Sequence, residues 1–343
     1  MSESALRIQD DINLAPFNTL GVPAKAKYFL SVRTVDELIA ILPVDKQFSS
    51  IFVLGGGSNI LFMDDYEGLI LHIAIRGKEV IRENENHIYL KIGAGENWHE
   101  TVRYCVEKGW GGIENLSLIP GTTGAAPIQN IGAYGVEIEE VFESLTAIEL
   151  ETGSRHIFNK EDCRFAYRDS IFKQELKGKY AVADVTLKLS KNPELNTSYG
   201  AIKDMLDERK ITEPTIQDIS DIVIEIRNSK LPDPAKLGNA GSFFKNPIIT
   251  DENYHNLKQE YPAMPGYSVD DARTKVPAGW LIEQTGWKGK VVGQAGTYRQ
   301  QALVIVNHGD ATGQEILQLA KMIQESVYEK FDIELVPEVN IVG

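Results

Sequence analysis

Residues 51–62 read IFVLGGGSNILF: an apolar run, three consecutive glycines with Ser58 and Asn59, and a second apolar run. The pattern predicts strand, tight glycine turn, strand. A glycine turn of this kind lets backbone N–H groups approach phosphate oxygens with no side chain between them. A tight hairpin accounts for three glycines equally well. A second stretch, residues 111–135 (GGIENLSLIPGTTGAAPIQNIGAYG), lacks the periodicity of helix or strand over a length that packing does not explain. Within it, Pro120-Gly121-Thr122-Thr123-Gly124-Ala125-Ala126-Pro127 again offers small residues and bare amides, followed by Gln129 and Asn130. Two such loops suggest a large ligand carrying a pyrophosphate. No GxGxxG follows a strand and opens a helix, so a Rossmann site is not supported, and no Walker A sequence occurs.

At 343 residues and 43% hydrophobic, the chain is long enough for two or three packed units and has no compositional signature of disorder. Its formal net charge of -14 argues against nucleic acid as a partner, and an anionic substrate would need a local basic pocket. The polar start, MSESALRIQDDINLAPFNTL, has no apolar core of the kind a signal peptide needs, and no later run approaches ~20 apolar residues. No membrane association is expected, and the location expected is cytoplasmic. Cys105 and Cys163 form no paired motif. The six histidines form no HxH or HExxH spacing, and His99-Glu100-Thr101-Val102-Arg103 breaks the zinc pattern where a second histidine should stand. No metal is expected.

Alternating patterns predict strands over 69–75, 87–92, 145–150 and 182–189, the last turning Val185, Leu187 and Leu189 to one face. A helix opens at Asn97 with Glu100 as a capping box, carries Trp98, Val102, Cys105 and Val106 on its apolar face, and stops at Gly109. Another runs over 216–228 behind Thr215 and Asp218, with Ile219, Ile222, Val223 and Ile226 as its stripe. A short helix covers 278–284. The last spans 313–329, boxed by Thr312 and Glu315, with Ile316, Leu319, Ile323 and Val327 inward, and a closing strand covers 333–342. A second polar glycine loop, LGNAGSFFKNP, occupies 237–247. This order points to an α+β fold rather than a doubly wound sheet.

The pairing of LGGGSNILF (54–62) with LSLIPGTTGAAPIQNIGAYG (116–135) resembles the FAD-binding domain of the vanillyl-alcohol-oxidase (PCMH) type. Within that superfamily the chain is similar to the UDP-N-acetylenolpyruvoylglucosamine reductase family, in its longer class with a substrate tyrosine loop. The likeness runs nearly end to end, through NTLGVPAKAKYF (18–29), CRFAYRDSIFK (163–173), GNAGSFFKNP (238–247), AGWLIEQTGWKG (278–289) and LVPEVNIVG (335–343). It implies an FAD-binding domain of two subdomains, 1–75 (to which a strand in 331–343 returns) and 76–228, plus a C-terminal α+β substrate-binding domain, 229–330. It also implies FAD contacts at Gly55, Gly56, Gly57, Ser58, Asn59, Ile119, Pro120, Gly121, Thr122, Gly124, Ala125, Ala126, Gln129, Asn130, Gly132 and Ala133. Neither loop contains His or Cys, which favours a non-covalent flavin.

The activity implied is NADPH-driven reduction of the enolpyruvyl group of a UDP-linked amino sugar, for peptidoglycan synthesis, by a monomer. Hydride addition to the terminal carbon leaves an enolate that needs electrostatic stabilisation and then a proton on the adjacent carbon. Carried over from the family motifs, Ser242 is the proton donor, while Arg168 and Glu338 polarise the carboxylate and enolate. A serine hydroxyl is a weak acid but adequate toward an enolate carbon. Arg168 offers a permanent charge and a planar fork. Glu338 must be protonated, or act through a hydrogen bond, to stabilise negative charge, so its pKa is expected to be raised by burial. Tyr199, Arg227, Lys230, Asn246 and Gln301 fall at substrate-pocket positions, with Tyr199 reaching the diphosphate. Taken singly, Ser242 reads as a turn hydroxyl, Glu338 as a solvated acid, and Arg227 and Lys230 as cations complementing a helix dipole.

Overall fold

The computed structural model describes residues 7–42 and 48–343; residues 1–6 and 43–47, and with them the start of the polar N-terminal stretch, lie outside it. The chain divides into two units, one of Met1–Ile12, Ala26–Gly57 and Tyr66–Arg227, the other of Asn13–Lys25, Ser58–Asp65 and Asn228–Gly343.

The first unit is built on a five-stranded antiparallel sheet in the order Arg155–Asn159, Phe142–Glu149, Tyr180–Ser190, His87–Gly93, Lys78–Glu83. The middle strand departs from the expected alternation, because residues 181–187 are all buried. A central strand that also packs against the turn Thr123–Ala125 has no solvent face over that length. The one carboxylate caught in this run, Asp184, meets Lys91 Nζ at 3.2 Å. Helix Trp98–Glu107 supplies Trp98, Val102, Cys105 and Val106 to the same core. The Asn97 half of its capping box forms, with Asn97 Oδ1 accepting the Glu100 N–H at 3.0 Å.

A second sheet in this unit pairs Lys25–Val32 and Ile51–Leu54 on either side of Tyr66–Ile73, both in parallel. Strand Ile60–Phe62 pairs instead with Asn340–Val342. The hairpin reading of residues 51–62 is therefore wrong: the glycines carry the chain from one sheet to another. A satellite core joins helix Gly200–Arg209, which periodicity does not reveal, to helix Ile216–Lys230. Ile202 and Leu206 there meet Ile219, Ile222, Val223 and Ile226, the stripe the sequence predicts.

The second unit holds an antiparallel sheet in the order Gly238–Ser242, Val304–Asn307, Ala295–Thr297, Val291–Val292. Helix Gly313–Phe331 packs on its two inner strands through Ile316, Leu319, Ile323 and Val327, and its Thr312/Glu315 capping box is complete. The predicted closing strand over 333–342 is shortened to Asn340–Val342. The chain before it pairs elsewhere, through a bridge between Pro337 and Phe244, and Pro337 has no N–H with which to continue a ladder. Among the described residues no helix is long and apolar enough to cross a membrane.

Gly313 begins the last helix with its Cα turned onto residues 62–63. A methyl group built on it would stand 1.9 Å from the Phe62 carbonyl oxygen and 2.8 Å from Met63 Cα. Helix propensity favours Gly313→Ala by about 1 kcal/mol. The backbone clash outweighs this, and we expect Gly313→Ala to lower unfolding stability by roughly 1–3 kcal/mol in denaturant titration. A gain in stability would refute the packing argument.

Candidate functional site

The two glycine-bearing loops of the first unit meet backbone to backbone. A methyl group on Gly55 would lie 2.7 Å from Thr122 Oγ1, and one on Gly56 would lie 2.9 Å from Gly121 Cα. Gly57 follows with φ +61°, the left-handed region. These glycines therefore answer first to the contact between loops. Thr122 Oγ1 is buried at that contact with no hydrogen-bond partner, an orphaned polar atom of the sort that a ligand oxygen satisfies. Not all the loop's amides are bare, however. The N–H groups of Thr123 and Gly124 donate to the Glu96 and Ala94 carbonyls at 2.8 and 2.9 Å, and those of Ala125 and Ala126 close turns onto Thr122 and Thr123.

Asn130, expected at the cofactor, has its side chain fully engaged within the protein. Its Nδ2 donates to Glu137 Oε2 at 2.7 Å and to the Ala166 carbonyl at 3.2 Å, while its Oδ1 accepts the Glu139 N–H at 3.3 Å. It ties the 130–139 turn to the turn that carries Arg168. That second turn closes by reciprocal bonds between Ala166 and Asp169, and it sets Arg168 at φ +55°. A non-glycine residue in that region carries strain that surrounding bonds must hold. Arg168 Nη2 donates to the Gly132 carbonyl at 2.6 Å, and Ser170 Oγ donates to the Ile128 carbonyl at 2.6 Å, so the turn is fastened to the 119–133 loop. A methyl group on Gly132 would fall 2.8 Å from Glu137 Cγ and 3.1 Å from Arg168 Nη1, so both side chains would have to shift to admit it.

Arg227 belongs to the same neighbourhood. Its Nε donates to the Leu118 carbonyl at 3.2 Å, and its guanidinium also bonds the Tyr134 hydroxyl. Burial pulls this guanidinium below its ordinary value; Tyr134 opposes that, and the nearby Arg168 cation adds to it. Arg227 stays charged at any working pH. Among the described residues it meets a carbonyl and a phenol but no carboxylate, and a buried cation so placed calls for an anion. Tyr199 is 46% exposed and packs edge-on to Tyr134, with ring centroids 5.1 Å apart. The segment before it is anchored by Asn196 Nδ2 on the Gly135 carbonyl at 3.0 Å and by Asn115 Nδ2 on the Asn196 carbonyl at 2.9 Å. Arg168, Arg227, Tyr134 and Tyr199 thus form one cluster. Sequence reading missed Tyr134, although its place between glycines in GAYG was a signal.

In the second unit Ser242 ends the strand Gly238–Ser242, just after Gly241 at φ +69°. The next residues run alongside 336–338: the Glu338 N–H donates to the Phe243 carbonyl at 2.8 Å, and the Lys245 N–H to the Val336 carbonyl at 2.9 Å. This short ladder, floored by buried Phe243 and Phe244, brings Ser242 and Glu338 to one end of it. Asn59, another expected cofactor contact, is bonded to the same returning chain. Its Nδ2 donates to the Glu338 carbonyl at 3.2 Å, and its own carbonyl accepts from Asn340. Asn246 Oδ1 accepts the Ala278 N–H at 2.9 Å, so the amide oxygen is committed to the start of helix Ala278–Gln284. Gln301 lies over Gly279, where a methyl group would come within 2.7 Å of its Oε1. Lys230 is exposed at the end of helix Ile216–Lys230. Ser58 stands at the start of the 58–65 segment of this unit.

Cys105 and Cys163 are free and buried, and burial pushes both thiols up to about 12, which leaves them unreactive. Among the described residues no three His, Cys, Asp or Glu side chains gather where they could hold a metal ion.

Residues 26–158 match the family of FAD binding domains, and residues 233–342 match the family described as UDP-N-acetylenolpyruvoylglucosamine reductase, C-terminal domain. A UDP-N-acetylenolpyruvoylglucosamine reductase from Amoebophilus asiaticus is 52% identical over 98% of this chain and 99% of its own length. One from Flavobacterium johnsoniae is 48% identical over 98% of this chain and 100% of its own. The crystal structure of the reductase from Thermus caldophilus, 23% identical, superposes with a TM-score of 0.70 over 98% of this chain and 100% of that one, which establishes a shared fold. The chain is an enzyme of α+β fold and belongs to the UDP-N-acetylenolpyruvoylglucosamine reductase family.

Proposed function

We propose that this protein reduces UDP-N-acetylglucosamine enolpyruvate to UDP-N-acetylmuramate, with FAD held non-covalently and NADPH as the reductant. The observation that carries the reading is the contact of Gly55 and Gly56 with Gly121 and Thr122, in a chain whose residues 26–158 match FAD binding domains. That contact excludes side chains and leaves the Thr122 hydroxyl without a partner, which suits the oxygens of a dinucleotide pyrophosphate. When bound, the flavin supplies the hydride equivalent.

The chain's own residues then have three tasks. Arg168, held by the Gly132 carbonyl, offers its planar guanidinium fork to the substrate carboxylate. Arg227, whose half-buried charge meets no carboxylate among the described residues, takes a second anionic group, with Tyr199 reaching the diphosphate and Lys230, Asn246 and Gln301 as further substrate contacts. Ser242 Oγ gives its proton to the carbon next to the carboxylate and regains one from solvent, while Glu338 stabilises the enolate by hydrogen bonding. The sugar nucleotide is the partner of this reading; neither nucleic acid nor membrane has a place in it, and it acts in the cytoplasm as a monomer.

The decisive measurement is anaerobic absorbance of the flavin, bleached with NADPH and followed after addition of the enolpyruvyl sugar nucleotide. Recovery of the oxidised spectrum is expected on substrate. In Ser242→Ala the bleaching should be normal, with recovery slower by about 10²–10⁴-fold. Fast recovery in air combined with none on substrate would sink the reductase reading in favour of an oxidase. A second prediction concerns the cradle: Gly56→Ala should push the loops apart and lower flavin content on purification, measured as the flavin-to-protein absorbance ratio. Full flavin occupancy in Gly56→Ala would remove the support drawn from the loop contact.

A further inference from the structure

Leu118 stands at the head of the 119–133 loop with φ +58°, a conformation open to glycine and costly to leucine. Two side chains hold it there from opposite sides. Its N–H donates to His99 Nδ1 at 2.9 Å, and its carbonyl accepts from Arg227 Nε at 3.2 Å. His99 is the second residue of helix Trp98–Glu107, and its neighbour Trp98 grips the same segment twice. Trp98 Nε1 donates to the Leu116 carbonyl and Trp98 N–H to the Gly121 carbonyl, both at 3.0 Å. The first turn of this helix therefore clamps residues 116, 118 and 121, and of the three grips only the one through His99 titrates.

We propose that His99 is a positioning residue for the flavin loop: by accepting the Leu118 N–H, its neutral ring locks Leu118 in the left-handed conformation from which residues 119–122 depart toward Gly55 and Gly56. The role rests on the reading of that loop as the flavin site. An accepting Nδ1 leaves the ring proton on Nε2, and a second proton would set a donor against the Leu118 N–H. The charged groups facing His99 are Arg103 and Glu100 on its own helix and Arg227 from helix Ile216–Lys230, with Arg103 itself bonded to Asp221 at 2.8 Å. Burial lowers the ring below the ordinary histidine value of 6.5, Arg103 and Arg227 add to this, and Glu100 opposes it. The ordered loop thus binds fewer protons than the released one. Its order is fully present above pH 6.5 and is lost as pH falls through the lower midpoint of the ring.

The test pairs amide hydrogen exchange over residues 114–122 of the apoprotein, corrected for intrinsic rates, with FAD dissociation constants from flavin fluorescence across the same pH range. In the wild type, protection should fall as pH drops from 6.5 to the lower midpoint of the His99 ring and level off below it, and the FAD dissociation constant should rise by up to about tenfold per pH unit across that window. His99→Asn keeps an acceptor near the Nδ1 position without a titrating group, so its protection should stay flat with pH. His99→Ala should lose protection at every pH, and adding Leu118→Gly should restore FAD affinity, since glycine holds a positive φ at no cost. A His99→Asn variant that follows the wild-type pH course, or a His99→Ala variant with unchanged protection, would overturn the proposal. Failure of the wild type to bind FAD near pH 8 would overturn the cofactor reading alone, because the exchange measurement still decides the role of His99.

Discussion

Two loops can approach backbone to backbone only where no Cβ intervenes, and that constraint governs the first unit of this protein. Gly55 and Gly56 admit Gly121 and Thr122, Gly124 lies where a methyl group would come within 2.4 Å of Ala94 Cβ, and Gly132 leaves room for Arg168. The same closeness commits the amides of Thr123 and Gly124 to Glu96 and Ala94 and leaves the Thr122 hydroxyl as the unspent polar atom. A long loop without periodicity is thus held at close quarters, because several of its glycines leave room for a neighbour.

Strain is concentrated beside that edge. Leu118 and Arg168 both adopt positive φ, and both are held by side chains or carbonyls of other segments. Such conformations persist when the surroundings over-determine them, which is a common state of binding residues. Their partners bring two guanidinium groups, Arg168 and Arg227, close enough to disturb each other electrostatically. Both groups are half-buried, and a planar guanidinium pair of this kind is suited to an anionic ligand.

Several parts of this arrangement were open to sequence reading. The helices at Asn97, Thr215 and Thr312 declare themselves by capping residues and apolar stripes, because both signals are local. Helices Gly200–Arg209 and Asp251–Glu260 escaped because neither has a strong apolar face: the former buries only Ile202 and Leu206, and the latter buries no residue. Asn130 reads as a ligand contact in a polar loop; its side-chain amide is engaged by Glu137 and Glu139 of the turn beyond it and by the Ala166 carbonyl of the turn that carries Arg168.

Composition, capping signals and the order of motifs by themselves determined the α+β class, the glycine loops and the family likeness, since each is written in residue types at short spacing. Which partner each strand takes was decided only in three dimensions. Residues 51–54 and 60–62 look like the arms of one hairpin, but the first joins Tyr66–Ile73 and the second joins Asn340–Val342. The same holds for the placement of Glu338 beside Ser242, which depends on the Glu338 N–H reaching the Phe243 carbonyl across 95 residues of chain. Pairings of this range are set by backbone hydrogen bonds and buried area summed over a whole sheet, quantities that no local stretch of sequence contains.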